Sequence, residues 1–539
     1  MFLPVAYQAP PADLVVLHAR IWSDGHLLNA DCLAIRDGKF VEVGREDRVL
    51  IGSQTRVIDA KGRVVLPGMI DSHTHLVEAG GDLKYSVDLR PAQTREQFVF
   101  LVAQRSRTLP TSAWLRGYGW SAESWPGHPQ PRREWIDVVT GNRPAVLSRM
   151  DGHSMLVNSA VLHAAHIDRN GPPNPIGGVI DRDPQTGEPT GMIRDAAMGL
   201  IGRVTPPLSP EQVYEGLKAA VAEANRHGVT AVGEICSPQE ARIVRRYVLS
   251  EKPTLRFALY LRTGPDWERN VANAKAFESV PGWAEVKGLK AFMDGSLGSR
   301  TAYMIDPFLQ RPAGKDASWH GSPMAGVLSG EYERGFPVAA GAGYQVIVHA
   351  IGDLANRKAL DFFEKVPDVK EKRCRIEHAQ HLTEADIPRF GQLGVIASMQ
   401  PYHKADDGRY CDEVIGPERS KWSYAYRSLL DHGAVLAFGS DFPVVTINPW
   451  PGIDTAVTGR ILTGKIWHPE QNITLPEALT AYTSAGAYAT FRENEIGSIK
   501  PGYAADFVIL NRSPFQRGVD LAKIAPAAVY IAGRLAFRP

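Results

Sequence analysis

His73 and His75 stand one residue apart in Asp71-Ser72-His73-Thr74-His75, directly after the apolar run Val64 to Ile70. On an extended backbone, residues i and i+2 face the same way, so two imidazoles at a strand end can reach one cation. The pair alone fits a turn as well as a metal site. Further groups shift that balance. Lys290 lies inside the apolar stretch Gly288-Leu289-Lys290-Ala291-Phe292-Met293, His349 and His378 each end a β-rich run, and Asp441 follows Gly439-Ser440 at the end of another. Imidazoles, an amine and a carboxylate at separate strand ends point to a site for divalent metal. An ammonium has no place in an apolar strand unless it snorkels out or finds a partner such as Asp294. The sharper reading is a neutral amine that adds carbon dioxide, giving a carbamate whose two oxygens bridge two cations. Asp441 reads either as a turn residue before Phe442-Pro443 or as a ligand that accepts a proton from bound water. Its place at the last strand end favours the second.

Side chains so far apart in sequence need a scaffold that gathers strand ends on one rim. Eight β-rich runs supply it: Val64 to Ile70, Val229 to Ile235, Leu255 to Leu261, Val286 to Met293, Tyr344 to Val348, Arg373 to Glu377, Val395 to Met399 and Ala434 to Phe438. Helical stretches separate most of them, the pattern of parallel βα units, and eight such units close a (β/α)8 barrel with its chemistry at the C-terminal face. Residues 1–66 and 495–539 instead alternate short strands with turns, and two half-sheets that are marginal alone form one composite β-sandwich. The expected architecture is thus an α/β TIM-like barrel over 67–494, a sandwich from both chain ends, and an insertion after the first strand. The 153 residues between His75 and Val229 are too many for one connection, so an inserted subdomain over about 80–205 roofs the barrel mouth.

The stretch Val65-Leu66-Pro67-Gly68-Met69-Ile70-Asp71-Ser72-His73-Thr74-His75 resembles the opening motif of the amidohydrolase superfamily. Across nearly its whole length the chain is similar to family 3 of that superfamily, the branch of YtcJ-like and N-substituted formamide deformylase-like hydrolases. Five further stretches carry the likeness: Met150-Asp151-Gly152-His153 with Asn158-Ser159, Lys290 with Asp294 to Ser299, His349-Ala350-Ile351-Gly352-Asp353, Ile376-Glu377-His378-Ala379-Gln380, and Gly439 to Pro443. The resemblance implies His73 and His75 on one metal, His349 and His378 on the other, carboxylated Lys290 between them, and Asp441 as ligand and proton shuttle. Pro501-Gly502-Tyr503-Ala504-Ala505-Asp506 also resembles the family's sandwich motif, with Tyr503 where lysine is usual.

The expected cofactors are two divalent ions, zinc first, with carbon dioxide held as the Lys290 carbamate. The expected activity is attack of a metal-bound hydroxide on the carbonyl of a small, linear N-substituted amide, with Asp441 passing the proton on and His153 hydrogen-bonding the substrate. Opening of a cyclic amide, an ester or a lactone, or deamination, would use the same groups. A non-catalytic binding protein on this fold is the alternative of another class. Trp120, Trp125 and Tyr118 from the insertion, with Tyr402, His403 and Phe442 from the strand-end loops, are expected to line an aromatic pocket for an apolar substituent.

Composition narrows the partners. Sixty basic against 59 acidic residues, scattered without runs, disfavour nucleic acid and membrane surfaces. Four distant cysteines fit a reducing compartment, and Met1 to Ala6 is too short for a signal segment, so a cytoplasmic protein, a homodimer, is expected. Gly459 to Lys465 matches a phosphate loop except that Ile466 replaces the magnesium-binding hydroxyl, and no GxSxG or GxGxxG is present.

Overall fold

The computed structural model describes residues 10–45, 51–110, 112–122, 125–127, 129–150, 152–175, 177–312 and 314–539. The Met1 to Ala6 stretch and Asp151 lie outside them. Eight parallel strands form the central sheet: β1 (Met69–Thr74), β2 (Val229–Cys236), β3 (Arg256–Arg262), β4 (Ala284–Phe292), β5 (Gln345–Ala350), β6 (Arg375–His378), β7 (Ile396–Met399) and β8 (Leu436–Phe438). They pair in sequence order. The ring closes just beyond β8, where the Asp441 amide donates to the His73 carbonyl (2.8 Å) and the His75 amide to the Phe442 carbonyl (2.9 Å). Helices such as α1 (Leu76–Tyr85) and α2 (Pro210–Arg226) wrap the outside, and α2 starts on a capping box between Ser209 and Gln212. This is the TIM-like barrel.

The run Val64 to Ile70 is not one strand. Val64–Pro67 pairs antiparallel with Phe507–Leu510, while Met69 onward enters the barrel. Pro67 has no amide hydrogen to donate, and at Gly68 a Cβ would lie 2.1 Å from Thr230 Oγ1, so the chain turns from one sheet to the other at its closest approach to β2. Val64–Pro67 and Arg20–Ser23 share a six-stranded sheet with the C-terminal strands, and Leu14–Leu17 lies in a four-stranded one. Leu14, Ile21, Leu33, Phe40, Phe507 and Tyr530 fill the core between these sheets. The two chain ends therefore build one sandwich, as each buries the face the other exposes.

Between α1 and α2, strands from Val87–Asp88 to Pro189–Asp195 form a fourth sheet, of six strands, of which Ala145–Arg149 and Ser154–Val157 approach the barrel mouth. Among the described residues, no helix is long and apolar enough to cross a membrane. All four cysteines are buried, and none forms a disulfide.

Candidate metal centre

The C-terminal rim of the barrel gathers the predicted donors. β1 carries His73, and His75 sits at the N-cap of α1. Asp441, just past β8, places one carboxylate oxygen 3.2 Å from His73 Nε2 and 3.3 Å from His75 Nε2. The donor atoms of His73, His75 and Asp441 lie within 4.8 Å of one another, and so do those of His378, His403 and Asp441. Asp441 and His378 hold left-handed φ angles of 58° and 76°, and such strain is kept where the surrounding structure over-determines it, as at functional sites. Burial would raise the Asp441 carboxyl, but His73, His75 and His378 hold it well below the usual carboxylate range.

His73 Nε2, His75 Nδ1, Lys290 Nζ, His378 Nδ1 and His403 Nε2 are all buried without a hydrogen-bond partner. Burying an unpaired polar atom costs about 1–3 kcal/mol each, so the bare nitrogens of His73, Lys290, His378 and His403 fit a cation, whereas His75 turns Nε2 and not its bare Nδ1 to Asp441. Lys290 neither snorkels nor pairs with Asp294. It is 1% exposed, with its Nζ 4.9 Å from the Phe292 ring, and burial lowers it to about 8. Asp294 spends its oxygens on the backbone amides of Ile351 (3.0 Å), Gly352 (2.8 Å) and Tyr303 (2.8 Å), fixing the loops after β4 and β5. His349 stands on β5 with its ring 4.5 Å from that of His378, and its Nε2 donates to the Gly295 carbonyl at 3.0 Å. Burial pushes both His349 and His378 well below the usual imidazole range, which leaves neutral rings with lone pairs to give.

Several residues that hold these donors do not stand out from sequence pattern. Glu377 accepts from His73 Nδ1 (2.5 Å) and from Arg375 (2.8 and 3.1 Å), and Arg375 also donates to the Ser72 carbonyl (2.7 Å). Burial would raise Glu377, yet the Arg375 charge and His73 bring it down to about 2, so it stays ionised and directs His73 Nε2 inward. Glu234 on β2 accepts from Thr74 Oγ1 (2.8 Å) and from the amides of Leu76 (2.7 Å) and Val77 (3.0 Å). It caps α1 in place of His75, whose side chain makes no capping bond. Asp71 accepts from Ser440 Oγ (2.5 Å) and the Ser440 amide (2.9 Å), tying β1 to the turn that carries Asp441. One signal for them is nonetheless local: a carboxylate or guanidinium inside an apolar strand must have a buried partner.

The cavity above these donors has a volume of about 350 Å³, and His153 lines it, held through Nδ1 by Asp195 (3.0 Å). His403 and Tyr118 line it too. Trp120 and Trp125 do not. A register shift between Gly117 and Trp120 turns that indole into the insertion's own core, where it donates to the Leu147 carbonyl (2.9 Å), and Trp125 donates to the Ala92 carbonyl (3.0 Å) with Phe98 beside both rings. Tyr402 is also absent from the lining. It precedes His403 on the helix Pro401–Asp407, so it points about 100° away. Phe442 packs into the barrel core. Tyr118, Phe292 and Tyr410 give the lining its aromatic part, and charged groups, Glu78, Asp82, Arg149, Arg262, Asp406 and Asp407, stand beside them.

A profile described as amidohydrolase family matches residues 56–537. The chain is 36% identical to the protein LONG AFTER FAR-RED 3 of Arabidopsis thaliana, over 97% of this chain and 91% of that one. It is 31% identical to the putative amidohydrolase YtcJ of Bacillus subtilis, over 94% and 96% of the two chains. To the N-substituted formamide deformylase of Arthrobacter pascens it is 25% identical, over 97% and 98%. Among solved structures, an uncharacterized metal-dependent hydrolase from Pyrococcus horikoshii superposes with a TM-score of 0.74 at 26% identity, covering 95% of this chain and 99% of that one.

Proposed function

The chain belongs to the amidohydrolase family, and from that premise we propose that it hydrolyses the C–N bond of a small, linear N-substituted amide with two divalent cations, zinc first. The observation that carries this reading is the set of unpartnered buried nitrogens around the Asp441 carboxylate. Neutral imidazoles with a carboxylate oxygen suit zinc better than magnesium or calcium, which prefer oxygen alone. His73, His75 and Asp441 would hold one cation. His378, Lys290 and Asp441 would hold the other, in a region where both His349 and His403 stand. Lys290 would serve as a carbamate: its neutral amine forms an N–C bond to carbon dioxide and gives up one proton. When bound, the cations lower the pKa of a water and polarise the amide carbonyl.

The chain's own groups do the rest. Asp441 stays ionised, takes the proton from the attacking water and delivers it to the leaving nitrogen. His153, oriented by Asp195, hydrogen-bonds the carbonyl oxygen from the insertion side. Glu377 and Glu234 hold His73 and α1 so that neither donor moves during turnover. The insertion covers the mouth and excludes polymers, and the charged lining favours a polar, hydrogen-bonding N-substituent over the aromatic one expected from sequence. The formamide deformylase relative supports an open-chain amide.

The test is kinetics of the zinc-reconstituted protein on open-chain formamides with polar and apolar N-substituents, an N-acyl amino acid, a hydantoin, a lactone and an aminoheterocycle. The expected result is the highest kcat/KM on an open-chain formamide. Highest efficiency on the hydantoin, the lactone or the aminoheterocycle would replace this reading with cyclic amide opening, lactone hydrolysis or deamination.

A further inference from the structure

Away from the metal centre the active-site cavity adjoins a second chamber of about 470 Å³, walled by α1, by the strand Leu115–Trp120 of the insertion and by Pro207 and Leu208 ahead of α2. The two share Glu78, Asp82, Ser148 and Arg262 in their walls. Helix α1 sets this order. Glu78 and Asp82 are i, i+4 neighbours on the face that begins at His75, and Asp82 lies two turns on from His75, about 10 Å along the axis. A ligand whose amide sits at the metal centre therefore enters the second chamber past Asp82.

The charges there fall into two groups. Arg262, at the end of β3, is spent on Glu240 (2.8 Å) and Glu78 (3.5 Å). Asp82 and Arg116 are not spent. Asp82 accepts from Ser86 Oγ (2.9 Å), and Arg116 donates to the Pro206 carbonyl, but among the described residues neither has an ion-pair partner. They act on each other through space, without contact. Burial, with Glu78 adding to it, raises the Asp82 carboxyl to about 7, and burial lowers the Arg116 guanidinium, so each gains from a counter-charge that the chain does not supply. A lone cation in the chamber would leave Arg116 unmatched, and a lone anion would leave Asp82 so. An α-amino acid head carries both charges on one carbon, an ammonium for the carboxylate and a carboxylate for the guanidinium fork.

Resting on the amide-hydrolysis reading above, we propose that the second chamber seats the zwitterionic head of an α-amino acid whose side chain carries the scissile amide on its far nitrogen. Asp82 receives the α-ammonium and Arg116 the α-carboxylate, while a spacer of several methylenes runs back past Glu78 to the metal centre. The substrate is then an ω-N-acyl amino acid such as Nε-formyl-lysine. Water cleaves its C–N bond: the acyl carbon keeps the hydroxyl, the ω-nitrogen takes the proton, and formate and the free diamino acid leave. An α-N-acyl amino acid holds its carboxylate beside the scissile bond, out of reach of Arg116.

The experiment compares Nε-formyl-lysine with its deaminated analogue ω-formamidohexanoate, its decarboxylated analogue N-formylcadaverine, and neutral N-pentylformamide on the zinc-reconstituted protein. Loss of either charge should lower kcat/KM by about tenfold or more. Asp82→Asn should erase the step between Nε-formyl-lysine and ω-formamidohexanoate, and Arg116→Gln the step to N-formylcadaverine. Circular dichroism checks the fold of both variants, and the wild-type series stands without them. Equal kcat/KM on all these formamides would overturn the seat and leave amide hydrolysis intact. A higher kcat/KM on Nα-formylnorleucine would overturn it too. Turnover of none of them would remove the amide reading instead, and calorimetric titration with norleucine then decides the seat. Norleucine binding that weakens about tenfold or more in both variants would uphold it. No binding, or binding that neither substitution changes, would overturn it.

Discussion

In the proposed reaction Asp441 takes and delivers the proton, and its neighbours make its replacement informative. Asp441→Asn fills the same space but removes the proton acceptor, so turnover should fall by about 10²–10⁴-fold while the far-ultraviolet circular dichroism stays that of the wild type. Near-normal kcat in that variant would move the base role to another group. Glu377 offers a second test that leaves the reacting atoms alone. Its carboxylate faces His73 Nδ1 on one side and Arg375 on the other. Glu377→Gln keeps the shape but lowers the basicity imposed on His73, so affinity for zinc should weaken by about 10–100-fold, read by competition with a chromophoric chelator. Unchanged zinc affinity would reduce Glu377 to a counter-charge for Arg375.

At the scale of elements, the position of His75 depends on how α1 lies against α2. The two helices pass backbone to backbone: a Cβ at Gly80 would come within 2.3 Å of the Gly216 carbonyl oxygen, and one at Gly216 within 2.7 Å of the Gly80 carbonyl carbon. Gly216→Ala must therefore push the helices apart. It should cost about 1–3 kcal/mol in denaturant unfolding. Because α1 begins at His75, the same variant should also lower zinc affinity. Equal stability with the wild type would mean that α1 is free to shift without cost. The insertion follows a similar logic: its sheet has its own cores, in which Trp120 and Trp125 are buried, and it sends His153 and Arg149 to the cavity from strand ends. Aromatic residues in an inserted unit serve that unit's packing before they serve the site.

For the whole molecule, the sandwich and the barrel are locked by charge as well as by chain crossing. Arg256 on β3 donates to both oxygens of Asp506 (2.5 and 3.0 Å), and Asp506 also accepts from the Ala532 amide (2.8 Å). Both side chains are almost fully buried. Asp506→Ala would strand a buried guanidinium, so it should destabilise the protein by about 3–5 kcal/mol and lower Tm by several degrees. An unchanged Tm would show that water reaches Arg256 once the carboxylate is gone.

The sequence by itself determined the β-rich runs, the eightfold count and the residues at the strand ends, because strand pattern and turn chemistry are local. His73, His75, Lys290, His378 and Asp441 are legible in the chain itself, since each is a polar group where an apolar strand ends or runs. Tertiary structure alone decided what surrounds them. Whether Val64 to Ile70 is one strand or two depended on Thr230, a residue far along the chain. The burial of Trp120 and Trp125 depended on a register shift in a sheet whose pairing the sequence does not state. Glu377, Glu234 and Asp71 act through partners on other strands, and His403 gains its meaning from a ring on β6 and a carboxylate past β8. A side chain's type and spacing are written in its own neighbourhood, whereas its partners are fixed by how separate strands close into one ring.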